Sequence, residues 1–140
     1  MKALFDTDVL LDVALGRTEF LDDSAEALRW AEDHPGLVAV AWHSLSNLAY
    51  LVRPNPREFI RDLLTFVEVA AVGTAEARLA LTYSMRDLED ALQAASAVSF
   101  GASFLVTRNT NDFRKSPIPA VTPAAFLKAA SRGSAEAPGR

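Results

Sequence analysis

The chain has 140 residues, 50% of them hydrophobic and 23% charged, with a net charge of −4 and no cysteine. That size and balance describe one globular domain with a real core, and exclude a disordered segment, a disulfide scaffold and thiolate catalysis. A negative balance also excludes attraction to nucleic acid by net charge alone; a local basic patch, a metal or a basic partner would be needed.

The two histidines, His34 and His43, are not spaced as a ligand pair, which argues against structural zinc. Hard ions held by oxygen stay open. The chain shows neither a signal-peptide pattern nor an apolar run of membrane-spanning length, so a cytoplasmic location is expected.

In chain order, the apolar Lys2–Phe5 predicts a short buried strand. It runs into LFDTDVLLD, residues 4–12, where Asp6, Asp8 and Asp12 interrupt the apolar pattern. Apolar residues at 9, 10, 13 and 14 predict a helix from Asp8 to Leu15, closed by Gly16 and Arg17. A second helix is expected over Leu21–Glu32, ended by Pro35 and Gly36. Leu37–Ala41 predicts a buried strand and Ser44–Val52 a helix stopped by Pro54. Another helix is expected over Arg57–Phe66, with Pro56 near its first turn.

The segment Phe66–Val72, with VEVAAV, predicts a third strand. Thr74 then caps a helix to Tyr83, and a longer helix is expected over Met85–Phe100, ended by Gly101. Ser103–Thr107 predicts a strand, followed by the polar loop RNTNDF. Ile118–Val121 predicts a last short strand, and Pro123 opens a helix to Ala130. Residues 1–131 are read as one domain and residues 132–140 as a disordered tail. Short apolar strands alternating with helices imply a parallel sheet covered on both faces, with sites beyond the carboxyl ends of the strands.

The acids fall at those ends. Asp6 follows the first strand and Asp112 lies in the loop after SFLVT. Asp87 and Asp90 are neighbours on one helix face, because residues three apart are adjacent there. At about 100° per residue Asp87 continues the stripe of Ala91, Ala94 and Val98, whereas Glu89 points elsewhere. Carboxylates pushed toward an interior are costly unless a cation offsets them. Each has a structural alternative. Ser84-x-x-Asp87 fits a capping box, Asp8 an N-cap, Asp112 an Asx-turn and Asp12 a solvent-facing position.

Taken together, LFDTDVLLD, EDALQAASA, VTRNTNDF and TPAAFL resemble the PIN domain, the nuclease fold of VapC-type toxins and related ribonucleases. The resemblance runs nearly end to end. It implies a three-layer α/β/α sandwich around a mainly parallel sheet of about five strands. It also implies Mg2+- or Mn2+-dependent hydrolysis of RNA phosphodiester bonds. Asp6, Asp90 and Asp112 would be the catalytic, metal-binding acids and Asp87 an auxiliary one. Asp8, Thr107 and Asn109 would give polar support. The family's usual Glu after the second strand is matched here by Asn47, which keeps an oxygen donor but lacks the charge. His43 is read as a helix cap rather than a site residue.

The resemblance further implies a homodimer and an antitoxin that inserts a segment into the acidic pocket. Trp30, Trp42 and Tyr50 are candidate interface residues, although core packing is the expected use of aromatics at helical spacing. For RNA contact, Arg53, Arg57 and Arg61 recur every four residues, and Arg108 and Arg114 flank the last motif; a solvated charged face is the other reading. Two other functions stay in view. One is a PIN-like module that binds RNA or protein without cleaving. The other is a phosphohydrolase of the haloacid dehalogenase type, read from Asp6-Thr7-Asp8, for which a suitably placed later lysine is missing before Lys115.

Overall fold

A strand of three residues can bury both faces only if every residue is apolar, and three segments here meet that condition. These are β1 (Ala3–Phe5), β2 (Val38–Val40) and β4 (Phe104–Val106). With β3 (Glu68–Val69) and β5 (Ala120–Val121) they form one sheet in the order β3-β2-β1-β4-β5, every pair parallel. The computed structural model describes residues 1–17 and 19–136.

Among the described residues, seven α-helices connect and flank the strands: α1 (Thr7–Leu15), α2 (Leu21–Asp33), α3 (Trp42–Leu51), α4 (Pro56–Leu63), α5 (Thr74–Ala80), α6 (Leu88–Phe100) and α7 (Pro123–Glu136). Alternate strand residues serve opposite layers. Ala3, Phe5, Val38, Val40 and Val106 pack toward α1, α2 and α7. Leu4, Ala39 and Leu105 pack on the other face against Ala94 and Ala97 of α6. The three-layer sandwich expected from the sequence is therefore the observed one.

The sheet reverses its direction of growth at β1, since β2 and β3 lie to one side and β4 and β5 to the other. Ligand sites of parallel sheets form where that reversal opens a crevice at the carboxyl ends. The register Leu4↔Leu105 and Phe5↔Val106 brings the next residues, Asp6 and Thr107, side by side. A backbone bond from Asp6 N to Val106 O, 2.9 Å, continues the ladder to the edge.

Several boundaries differ from the expectation. α6 begins at Leu88 rather than Met85, because Asp87 caps it. β3 is two residues, not VEVAAV, since it lies at the sheet edge and has only β2 to pair with. α4 ends at Leu63, and α7 continues past Ala130 to Glu136, through part of the expected tail. Residues 137–140 of that tail lie outside the described residues. Trp30 packs into the core against Phe126, whereas Trp42 and Tyr50 are 66% and 75% exposed, against the core use expected of them. No helix among the described residues is long and apolar enough to cross a membrane.

Phe126 ties α7 to the sheet. It is fully buried and meets Phe5, Trp30 and Phe104 edge-on, with ring centroids 5.7, 5.1 and 6.4 Å away. Replacing it with alanine removes these contacts and leaves a cavity. Phe126→Ala should lower the unfolding free energy by about 3–5 kcal/mol, read from urea titrations, while the conservative Phe126→Leu loses much less.

Candidate functional site

Asp6 is the first residue beyond β1, and its extended backbone makes it the N-cap of α1. Its Oδ1 accepts from Thr7 N at 2.8 Å and its Oδ2 from Thr107 Oγ1 at 2.8 Å. The cap is Asp6 and not Asp8, so the carboxylate at the strand end is held rigidly. Asp8 lies one residue into α1. Its Oδ2 accepts from Arg108 N (3.2 Å) and Asn109 Nδ2 (3.0 Å), with Thr107 Oγ1 at 3.3 Å. Asn109 N donates to Thr107 Oγ1 at 3.0 Å. The loop after β4 is thereby fastened to the start of α1 by polar contacts alone.

The second group of acids comes from α6. Asp87 caps that helix, accepting from Glu89 N at 2.8 Å and Asp90 N at 3.4 Å; the cap is this side chain itself, not a box closed by Ser84. Asp90 is half-buried and faces the same edge as Asp8 and Asp112, whose charges both act on it. Asp112 sits exposed on a short 3-10 turn, Thr110–Phe113, where its backbone N–H donates to Asn109 O at 3.0 Å. Glu89, expected to point away, also acts on Asp6 and Asp90 and pairs with His43, whose Nε2 is 3.1 Å from Glu89 Oε2. His43 does not cap α3, which has no side-chain cap bond.

Crowding of like charges leaves its mark on these groups. Asp6, only 6% exposed, has its pKa raised from 3.8 to about 7, first by burial and then by Asp8, against the pull of its hydrogen bonds. Asp90 is raised to about 7 by burial and by Asp87, Glu89, Asp112 and Asp8. Asp8 is raised by burial, opposed by Arg108. Its Oδ1 is buried without a hydrogen-bond partner among the described residues. An oxygen-only donor set with surplus negative charge and an orphaned carboxylate oxygen fits a hard divalent cation. Among the described residues, no three of His, Cys, Asp or Glu stand close enough to hold one ion together. The fit thus lies in charge and donor type, not in a finished coordination shell.

Beside the acids opens a cavity of about 650 Å3. One wall is the connection into α6, with Arg86, Asp87 and Asp90; the other carries Asn111, Asp112, Arg114 and Lys115. Of the arginines singled out in the sequence, only Arg114 lines it. α3 ends at Leu51 and α4 begins at Pro56, so Arg53 falls on the connection and the expected stripe is broken. Arg57 and Arg61 line a different hollow of about 430 Å3 with Ile60 and Leu64. Asn47 is half-buried on α3 and makes no side-chain hydrogen bond among the described residues.

Two buried polar clusters support the site and were not read from the sequence. Gln93 Nε2 donates to Ser44 Oγ (2.9 Å) and Thr7 Oγ1 (3.2 Å), which are 2.7 Å from each other; all three residues are buried. A lone glutamine among the alanines of α6 was the available signal. Asp12, expected at the surface, is fully buried. Its Oδ2 accepts from Ser24 Oγ (2.9 Å) and Arg108 Nε (2.7 Å), and Arg17 lies 3.6 Å from its Oδ1. The Arg108 guanidinium also stacks over Phe20 at 4.0 Å. Helical periodicity misplaced Asp12 because α1 is covered by α2 as well as by the sheet. Arg108, a candidate RNA contact, has its Nε engaged inside the fold.

These features define an α/β domain with an acidic centre where its parallel sheet reverses. The sequence matches the PIN domain over residues 2–111, and the chain belongs to the PIN-domain family, whose members are in general nucleases. That assignment sets aside the phosphohydrolase reading of Asp6-Thr7-Asp8. A toxin-antitoxin complex from Klebsiella pneumoniae is similar at 27% identity and a TM-score of 0.66, over 87% of this chain and 98% of that one. VapBC2 from Rickettsia felis, bound to a DNA fragment from its promoter, aligns at 18% identity and 0.60, over 87% and 98%. FitAB bound to the IR36 DNA fragment aligns at 17% and 0.63, over 86% and 94%. These last two likenesses are of fold. No curated protein matches the chain significantly.

A raised carboxyl pKa means that the folded state holds its proton more tightly than the unfolded chain does. Asp6 therefore costs no stability below about pH 4, and costs progressively more as pH rises from there to about 7. In EDTA at pH 8, Asp6→Asn should raise Tm by several degrees, a gain that shrinks as pH falls toward 4. An equal loss of Tm at both pH values would contradict this account. Asp12→Ala leaves Arg108 without its carboxylate and should cost about 3 kcal/mol in chemical denaturation at neutral pH.

Proposed function

We propose that this protein is a Mg2+- or Mn2+-dependent endoribonuclease that acts as the toxin of a toxin-antitoxin pair. The observation that carries the reading is the gathering of Asp6, Asp8, Asp90 and Asp112 at one sheet edge, where burial first and neighbouring acids second push Asp6 and Asp90 to about 7. Like charges held close in this way raise the energy of the cation-free site.

Asp6, Asp90 and Asp112, with Asp87 as an auxiliary acid, are the residues that would hold the cation. When bound, it supplies Lewis acidity at the phosphate and activates the attacking water. Thr107 and the Thr7 N–H aim the Asp6 carboxylate, while Arg108 N and Asn109 do the same for Asp8. An acidic pocket of this kind also suits a basic segment of an antitoxin, in keeping with the similarity to the Klebsiella complex. Trp42 and Tyr50, exposed on α3, are the residues we assign to contact with an antitoxin or with the second copy of a homodimer.

A second reading, a PIN-like module that binds without cleaving, is favoured by one feature. Asn47 is neutral where the resemblance calls for a carboxylate. One experiment separates the two. Short RNAs should be cut in Mg2+ or Mn2+ and left intact in EDTA, with Asp6→Asn or Asp90→Asn lowering the rate at least roughly a hundredfold. Folded protein that cuts no RNA in either metal would establish the binding module instead.

A further inference from the structure

The cavity beside the acids is not purely acidic. Arg86 directly precedes Asp87 on one wall, and Arg114 and Lys115 closely follow Asp112 on the other. All three basic side chains are exposed. Three carboxylates, Asp87, Asp90 and Asp112, line the same space, yet none of the cations forms an ion pair within 4.0 Å among the described residues. By contrast, Arg17, Arg29 and Arg108 each pair with a carboxylate. Cations that stay unpaired beside acids keep their charge for an anion from outside.

The cavity holds about 650 Å3, within the range of roughly 300–1,000 Å3 typical of ligand sites. Its lining contains no aromatic ring on which a base could stack. Arginine and lysine without aromatic partners contact phosphates, and phosphate contacts position a strand without reading its bases. In a chain of net charge −4, these three cations offset the three carboxylates of the same lining, which makes this cavity locally less negative than the chain as a whole.

We propose that Arg86, Arg114 and Lys115 form a phosphate-binding subsite that grips the backbone of single-stranded RNA beside the acidic centre. The subsite rests on the nuclease reading: the acids act at one linkage, and the three cations hold neighbouring phosphates on the cavity side. Recognition there is sequence-tolerant. It also assigns the RNA path to this cavity and away from the arginines of α4.

The test is binding of a short fluorescein-labelled single-stranded RNA of mixed sequence, by anisotropy in EDTA, as a function of salt. Three phosphate contacts to a single strand give a log–log salt slope of about −2. The variant Arg86→Ser/Arg114→Ser/Lys115→Ser should bind at least tenfold more weakly and lose that slope, with circular dichroism unchanged because the three side chains are exposed. Arg57→Ser/Arg61→Ser should bind as the unchanged protein does. Retention of affinity and slope by the triple variant, loss of binding in the α4 variant, or no binding by the unchanged protein would each overturn the subsite. Failure of the nuclease reading looks different: the unchanged protein binds RNA through these cations and never cuts it. Undiminished metal-dependent cleavage by the triple variant overturns the subsite and leaves the nuclease standing.

Discussion

The acids at the end of β1 are organised around the hydroxyl of Thr107. Parallel pairing of β1 with β4 brings the residues after each strand together, and Thr107 Oγ1 then lies 2.8 Å from Asp6 Oδ2 and 3.3 Å from Asp8 Oδ2. A hydroxyl has one proton, so it can donate fully to only one of two carboxylates. Asp6 receives it. Asp8 is served instead by Arg108 N and Asn109 Nδ2, and its other oxygen has no partner among the described residues. The hydrogen bonds therefore fix Asp6 and Asp8 in place without neutralising them, and the surplus negative charge stays available for a cation.

Rigidity around that hub comes from the two buried clusters. Asp12 and Arg108 cross-link α1 to the loop after β4, and the stacking of Arg108 on Phe20 adds a third element. Thr7, Ser44 and Gln93 join the starts of α1 and α3 to α6. Three of the segments carrying site acids are thus bound to one another through polar groups sealed from water, where such bonds are strongest. The acids themselves work against stability at neutral pH. A site that binds a cation tightly gains affinity from that opposition, since occupancy relieves it.

Much of the architecture was legible from local patterns. Strands such as ALF and FLV are too short and too apolar to be anything but buried, and Gly16 and Gly101 end their helices with φ values of 62° and 76° that favour glycine. The placing of Asp6, Asp90 and Asp112 at one edge followed from parallel topology. Asp12 was misread because helical periodicity assumes a single covered face, and α1 has more than one. Glu89 does lie outside the stripe of α6, reaching across to His43, but periodicity gave no sign that its charge also acts on Asp6 and Asp90. The arginine repeat at 53, 57 and 61 does not form one helical stripe, since Arg53 lies on the connection between α3 and α4.

Residue by residue, the sequence determined which segments would be buried, in what order strands and helices would alternate, and which acid would end the first strand. These are properties of nearest neighbours and of burial, and they survive without knowledge of the partner surfaces. Only the tertiary structure decided which acids crowd one another, which arginines are already paired and which remain free. Those outcomes depend on contacts between residues up to about a hundred positions apart, such as Thr107 with Asp6 and Arg108 with Asp12. The assembled sheet sets them, and no local pattern encodes them.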